Sequence, residues 1–363
     1  MGKKQVMLLL ILTVLTVLAG AYVMGGTQAY GRYQQNNLAN QEHCGGQAPV
    51  RICVRTPATI FSAFYPSYLG SQYPLFAVDY SSSSPLTLVI SVSIARFSQV
   101  QTQTVNATSN QQTSNFIPPM QGQVLQKLTT EQNTSLLVRV TDTQNHLYYD
   151  EDIPLLLHSR WLMEWLTSNR LKIAAWVTPD DPAIANLVTK AATHLHDQQP
   201  PVPSGMIGYK TATPQQVIDQ VDAIYDTLRL DYHIQYVQAS VPYSSSNSND
   251  SQATENIKLP AEVLAQHSGM CVELTALLAA AAERIGLHTS IVIIPGHAFL
   301  GVAVTEDGKR FEYWDAVDMN NNVAADSSNV QADGVYMKNL GQHTIVDTIL
   351  LSEARNAHVG PML

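Results

Sequence analysis

Alternating apolar and polar residues characterise the chain between about residues 86 and 149. In Leu86–Ile94 every even position is apolar, which is typical of a strand with one buried face. Residues 136–141 repeat this pattern, and stretches rich in Ser, Asn and Pro separate the apolar segments. We therefore predict a β-sandwich over residues 58–157. Residues 100–118 are polar throughout most of their length, and we predict a long hairpin loop there.

Helical spacing of apolar residues replaces this alternation after Pro154. Trp161, Leu162, Trp165 and Leu166 are spaced as on one side of a helix. Two later helices have clear starts, since an Asp or Thr cap followed by Pro occurs at residues 181–182 and 213–214. The pattern predicts a second domain with mixed helices and strands over residues 158–363.

The N-terminus has a long apolar run from Val6 to Val23, preceded by Lys3 and Lys4. Such a run is long enough to cross a membrane, and the two lysines favour a cytoplasmic start. We predict an N-terminal transmembrane helix over residues 1–24, followed by a linker over residues 25–57. The alternative is a signal peptide cleaved near residues 27–29. Both interpretations place the rest of the chain outside the membrane.

Composition narrows the classes of partner. The 363 residues exceed what one hydrophobic core usually supports, so two globular domains are expected. The net charge is −9 and Lys and Arg are not clustered, which argues against a nucleic-acid partner. No cofactor or metal is expected, because His194 and His196 beside Asp197 offer too few ligands for a zinc site.

The three cysteines divide into a close pair and a single residue. Cys44 and Cys53 lie within the short segment HCGGQAPVRIC, where a disulfide is expected in an exported protein. Cys271 has no such neighbour in sequence. A third cysteine in this compartment indicates a functional thiol, an intermolecular bridge or a buried core residue.

The surroundings of Cys271 favour a functional thiol. Leu274, Leu277 and Leu278 follow it at helical spacing, so Cys271 occupies the first turn of a helix, where N–H groups and the helix dipole favour a thiolate. An apolar strand then leads to His297, and the hairpin partner of the following strand ends at Asp315. A nucleophile, a base and a carboxylate that orients the base are what acyl transfer by a thiol requires.

The segments LPAEVLAQHSGMCVELTALLAAAAERIGL, GHAF and FEYWDAVD resemble the core of the transglutaminase-like superfamily. The resemblance extends over about residues 178–363. It implies an α+β fold with a papain-like C-terminal domain, in which Cys271 is the nucleophile, His297 the base and Asp315 the orienting carboxylate. Asp318 is the alternative to Asp315.

The resemblance implies hydrolysis of peptide or amide bonds in a protein or peptide substrate, or transfer of the acyl group to an amine. A different class of function stays open: a catalytically inactive module that uses the same cleft to bind a partner at the cell surface. In both cases we expect a membrane-anchored protein whose folded domains are extracytoplasmic.

Overall fold

The computed structural model describes residues 41–69, 74–195, 205–238 and 253–362. These residues form two compact units. Within the described part, the first unit contains residues 41–60, 74–119 and 133–156, and the second contains residues 61–69, 120–132 and those from 157 onwards. The main division therefore falls at residue 157, while two short earlier segments belong to the second unit.

The first unit contains two antiparallel sheets with strand orders β1-β2-β4-β7 and β3-β9-β8-β5-β6. Apolar residues alternate along the strands and face the interior, as the even positions of Leu86–Ile94 predict. The strands are β1 (Gln41–Gly45), β2 (Val50–Thr56), β3 (Thr59–Phe61), β4 (Phe76–Ser82), β5 (Leu86–Ile94), β6 (Gln101–Ala107), β7 (Gln112–Phe116), β8 (Gln132–Asp142) and β9 (Leu147–His158).

The predicted linker at residues 25–57 differs from the structure over its described part. β1 and β2 form a hairpin in which Cys44 lies directly opposite Cys53, and a disulfide joins the two residues. Val50, Ile52 and Val54 are buried, so β2 does follow a period of two. The Gly and Pro residues of the turn obscured that period, because such residues indicate loops when they are read locally.

The predicted loop at residues 100–118 is also different, since it contains β6 and β7. β6 pairs with β5 over its whole length, and β7 pairs with β4. Each of these strands is the last in its sheet. Edge strands can be polar because much of their surface remains in water, so apolar alternation is weak in these two strands.

The second unit combines helices with a four-stranded antiparallel sheet of order β16-β15-β14-β17 and two small two-stranded sheets. Its strands are β10 (Leu162–Glu164), β11 (Gln235–Tyr236), β12 (Thr254–Asn256), β13 (Ser268–Gly269), β14 (Thr289–Ile294), β15 (His297–Ala303), β16 (Phe311–Trp314) and β17 (Asp347–Leu350). The helices are α1 (Tyr65–Leu69), α2 (Gly122–Leu125), α3 (Pro182–His194), α4 (Pro214–Asp226), α5 (Pro260–Gln266), α6 (Cys271–Arg284), α7 (Ala325–Gly341) and α8 (Leu351–Asn356).

Helix α6 lies at the centre of this unit. All residues from Cys271 to Ala282 are buried, as expected for a helix with apolar residues on all of its sides and few polar ones. The helix contacts β14 and β15, which form a hairpin with Ile294 opposite His297. Gly296 occupies the turn at φ 72°, a conformation that glycine adopts without steric cost.

The helix predicted from the spacing of Trp161 to Leu166 is not present. Residues 162–164 form strand β10, which pairs with β12. Met163 and Trp165 are both fully buried, so the effective period is two, and a short segment with four large apolar residues does not distinguish the two periods. The helix starts predicted at Asp181 and Thr213 are confirmed, because both side chains accept backbone N–H bonds at the starts of α3 and α4.

No helix in the described part of the chain is long and apolar enough to span a membrane. The N-terminal run predicted as a transmembrane helix lies outside the described residues.

Candidate active site

Cys271 is the first residue of α6, and the loop before it is held by a buried carboxylate. Glu273 accepts hydrogen bonds from the backbone N–H groups of Met270 (3.0 Å) and Lys258 (2.8 Å). The Lys258 ammonium lies 3.4 Å from the same carboxylate and donates to the carbonyl of Ser268 at 2.8 Å. Glu273 is 3% exposed, so this network fixes the backbone on which the thiol depends.

Gly269, two residues before Cys271, allows the backbone there to pack closely against the neighbouring helices. A Cβ at this position would lie 3.0 Å from Leu274 and 3.2 Å from Val263. The glycine therefore lets β13 pack against both α5 and α6 immediately before the thiol.

His297 and Asp315 form a close pair next to Cys271. The distance from His297 Nε2 to Asp315 Oδ2 is 2.7 Å. Burial lowers the pKa of His297, but hydrogen bonds to Asp315 and Cys271 and the negative charges of both groups outweigh it and raise the pKa to about 10. Because Nε2 is used by Asp315, Nδ1 is the ring nitrogen left for the thiol. The imidazole is therefore held as a cation between a carboxylate and the sulfur.

Asp315 is fixed by bonds to its side chain and to its backbone. Its second carboxylate oxygen accepts the N–H of Val317 at 3.0 Å, which starts a 3-10 helix over Ala316–Asn321. The carbonyl of Asp315 accepts hydroxyl bonds from Tyr225 (3.3 Å) and Ser328 (3.1 Å). Asp315 therefore has a fixed orientation, which a base-orienting carboxylate requires.

Asp318, the alternative carboxylate, lies one turn further along the same segment. Burial and the negative charge of Asp315 raise its pKa. The carboxylate bonded to His297 belongs to Asp315. The three residues predicted as nucleophile, base and orienting carboxylate thus lie together, at the start of a helix, at the start of β15 and directly after β16 of the same sheet.

Trp314 anchors the strand that ends at Asp315. Its indole N–H donates to Asp222 Oδ1 on α4 at 2.7 Å, and the side chain is fully buried. Burial raises the pKa of Asp222 to about 7; the bond from Trp314 opposes this, while the charges of Asp226, Asp219 and Asp326 add to it. This carboxylate therefore binds a proton more tightly in the folded state than in the unfolded chain.

A pH-dependent stability follows from Asp222. The native state retains the proton up to about pH 7 while the unfolded chain releases it near 3.8, so the free energy of unfolding falls as pH rises between these values. Asp222→Asn keeps an acceptor for Trp314 and removes the charge, so we expect a gain of about 2 kcal/mol at pH 8 and none at pH 4. Urea unfolding at both pH values measures this. Asp152→Asn, at an exposed position whose charge plays no part around Asp222, is the control, and equal gains at both pH values would contradict the prediction.

Two residues near the site were not predicted from the sequence. Tyr236 on β11 lies opposite Gly269, and burial followed by the negative charges of Cys271 and Asp315 raises its pKa. Asn320 binds the backbone of Tyr236 through its side chain. Neither residue belongs to a local motif, and Tyr236 lies far before Cys271 in the chain, so the sequence offered no signal for them.

The part of the chain that the structure describes has a grouping of metal-ligand side chains that does not include Cys271. This grouping, in which the possible ligand atoms lie close together, consists of Glu42, Cys44 and Cys53. Cys44 and Cys53 are joined in a disulfide, so neither offers a thiolate to an ion.

Comparison with known proteins agrees with this geometry. Residues 216–353 match the family model of the transglutaminase-like superfamily, a range that contains Cys271, His297 and Asp315. Curated proteins and solved structures gave no significant match. The matched range is shorter than the 178–363 expected from the sequence motifs and includes the central helix and sheet. The chain therefore contains a domain of the transglutaminase-like superfamily at residues 216–353.

Proposed function

We propose that this protein is a thiol acyl-transfer enzyme that hydrolyses peptide or amide bonds through Cys271, His297 and Asp315. The observation that supports this most is the 2.7 Å bond from His297 to Asp315, with the thiol hydrogen-bonded to the same imidazole. A cation between a carboxylate and a thiol is the arrangement that keeps a cysteine nucleophilic.

In the first half of the reaction, the Cys271 thiolate attacks the carbonyl carbon of the substrate. The resulting oxyanion is stabilised by first-turn N–H groups of α6, which lie outside the intrahelical hydrogen-bond ladder. His297 then gives its proton to the leaving nitrogen, the C–N bond breaks, and a thioester on Cys271 remains. Asp315 keeps the imidazole oriented throughout.

In the second half, His297 takes a proton from water while the water oxygen attacks the thioester. The C–S bond breaks, the carboxylic acid leaves, and the thiolate and imidazolium are restored. An amine in place of water would give a new amide and make the reaction a crosslinking one. Access to the thioester decides between these acceptors.

The proposal includes an extracytoplasmic location with an N-terminal membrane anchor. The disulfide between Cys44 and Cys53 supports it, because such bonds persist mainly in oxidising compartments. The two antiparallel sheets of the first unit fit the predicted β-sandwich, a common architecture in extracellular proteins.

A second candidate function is the non-catalytic binding module. One observation favours it: Cys271 is only 1% exposed, so the sulfur is covered in this conformation. A buried thiol with no route for a substrate would be structural.

Trapping of the thioester tests the enzyme proposal. The purified protein is incubated with casein and with a library of peptide amides, and acid-quenched samples are analysed by intact-mass spectrometry. We expect an acyl adduct on Cys271 that hydroxylamine removes and that Cys271→Ala lacks. A fluorescent primary amine added to the same reactions distinguishes transfer from hydrolysis. Turnover that persists in Cys271→Ala would rule out the proposed mechanism, and binding without any adduct would favour the binding module.

A further inference from the structure

The residues around Cys271 cover its thiol and keep a substrate from reaching it in this conformation. Cys271 is 1% exposed, while the side chain of His297 is 20% exposed. A carbonyl carbon must come within about 3.5 Å of the sulfur for attack. A substrate therefore requires that some segment beside the thiol move.

Strand β11 is a short segment beside the thiol. It pairs in parallel with β13, where Tyr236 lies opposite Gly269, two residues before Cys271. The N–H groups of Gln235 and Val237 donate to the carbonyls of His267 and Gly269, each at 2.8 Å. These bonds use one edge of β11 and leave the N–H and carbonyl of Tyr236 on the other edge.

Asn320 occupies that other edge. The N–H of Tyr236 donates to Asn320 Oδ1 at 2.6 Å, and Asn320 Nδ2 donates to the carbonyl of Tyr236 at 2.8 Å. A carboxamide in this position replaces the backbone of a neighbouring strand, with both the acceptor and the donor satisfied. Asn320 itself is exposed, so burial does not hold it in place.

The same short helix connects Asn320 to the carboxylate of the site. The 3-10 helix Ala316–Asn321 begins directly after Asp315 and is capped by the Asp315 side chain. Tyr236 lies near both Cys271 and Asp315, and their negative charges add to the effect of burial in raising its pKa. Asn320 therefore links the segment after the carboxylate to the strand beside the nucleophile.

We propose that Asn320 is a positioning residue that latches β11 beside Cys271, and that release of this latch opens the thiol to substrate. The part concerning substrate rests on the proposed function. The latch itself concerns only the position of β11. Two neutral hydrogen bonds to an exposed side chain are weak enough to open on binding of an extended peptide, whose backbone can satisfy the same two groups of Tyr236.

Alkylation of Cys271 by iodoacetamide tests the latch in the full-length protein. The chain has three cysteines and two of them form the disulfide, so the reaction reports on a single site. We expect Asn320→Ala to raise the second-order rate constant about tenfold, because both latch bonds are lost. Asn320→Asp keeps the acceptor and loses the donor, so its rate should lie between those of wild type and Asn320→Ala. Asn321→Ala, in the same short helix, should react like wild type.

Thermal unfolding separates release of the latch from loss of the fold. The melting temperatures of the variants should stay close to that of wild type, since Asn320 is exposed. If Asn320→Ala fails to fold, the alkylation rate constant of Asn320→Asp tests the latch by itself. A rate constant unchanged in the folded variants overturns the latch and leaves thioester formation untouched. Faster alkylation without any thioester in wild type supports the latch while contradicting the proposed catalysis.

Discussion

Replacing His297 by Ala is expected to lower kcat/KM for amide hydrolysis by about a thousandfold or more. The imidazole is the proposed proton donor to the leaving nitrogen and the proposed base for water, and general acid–base groups contribute about 10²–10⁴ each. The variant also loses the cation that lies between Asp315 and Cys271. Initial rates on the substrate found by thioester trapping measure the effect.

His288→Ala is the matched control, because this histidine is exposed and lies one strand earlier. We expect it to retain nearly the wild-type rate. Equal losses in both variants would show that the His297 effect comes from damage to the sheet rather than from proton transfer. Retention of the wild-type rate in His297→Ala would contradict the role proposed for the imidazole.

The same variant should alter the pH dependence of stability. The pKa of His297 is about 10 in the folded state against 6.5 for an ordinary histidine. The stabilisation it supplies is therefore fully present below pH 6.5 and is lost as pH rises through about 10. The difference in free energy of unfolding between wild type and His297→Ala should shrink over that range, as urea titrations at pH 6, 8 and 10 would show.

The proximity of Cys271, His297 and Asp315 could be predicted from the sequence because the three residues follow strong local signals. Apolar residues at helical spacing placed Cys271 at the start of α6, and Gly286, at φ 84°, marked the end of that helix. The strand before His297 and the hairpin before Asp315 are short and local, as the pairing of Leu300 with Trp314 shows. Short connections limit how these helices and strands can be arranged, so three residues that are separated in sequence can be placed close together in space.

The surroundings of the site could not be predicted in the same way. Asp222 and Asn320 each form a hydrogen bond with a residue more than 80 positions away. In the sequence, nothing distinguishes either of them from an ordinary polar surface residue. Such contacts depend on how helices and strands pack, which no local pattern contains. The polar edge strands β6 and β7 were missed for a related reason: their pairing comes from β5 and β4, while their own residues lack the apolar alternation by which strands are recognised.

Arg355, which lies beyond the matched range, connects several segments of the second unit. Arg355 donates to the carbonyls of Ala174, Val177 and Val359, each at 2.8–2.9 Å. It also forms an ion pair with Glu283, near the end of the helix that begins at Cys271, at 3.0 Å. Burial raises the pKa of Glu283, and the charge of Arg355 opposes that rise. One guanidinium therefore connects α8 to the helix that begins at Cys271.

Replacing Arg355 by Ala is expected to lower the free energy of unfolding by about 3 kcal/mol, because three carbonyls and a largely buried carboxylate lose their partner together. Arg284→Ala removes a neighbouring ion pair, to Asp180, in which both side chains are well exposed. Exposed pairs contribute little, so we expect a loss below about 1 kcal/mol there. Urea unfolding of the two variants gives the comparison. Similar losses of unfolding free energy in the two variants would contradict the prediction, because the bonds of Arg355 would then stabilise the fold no more than an exposed ion pair does.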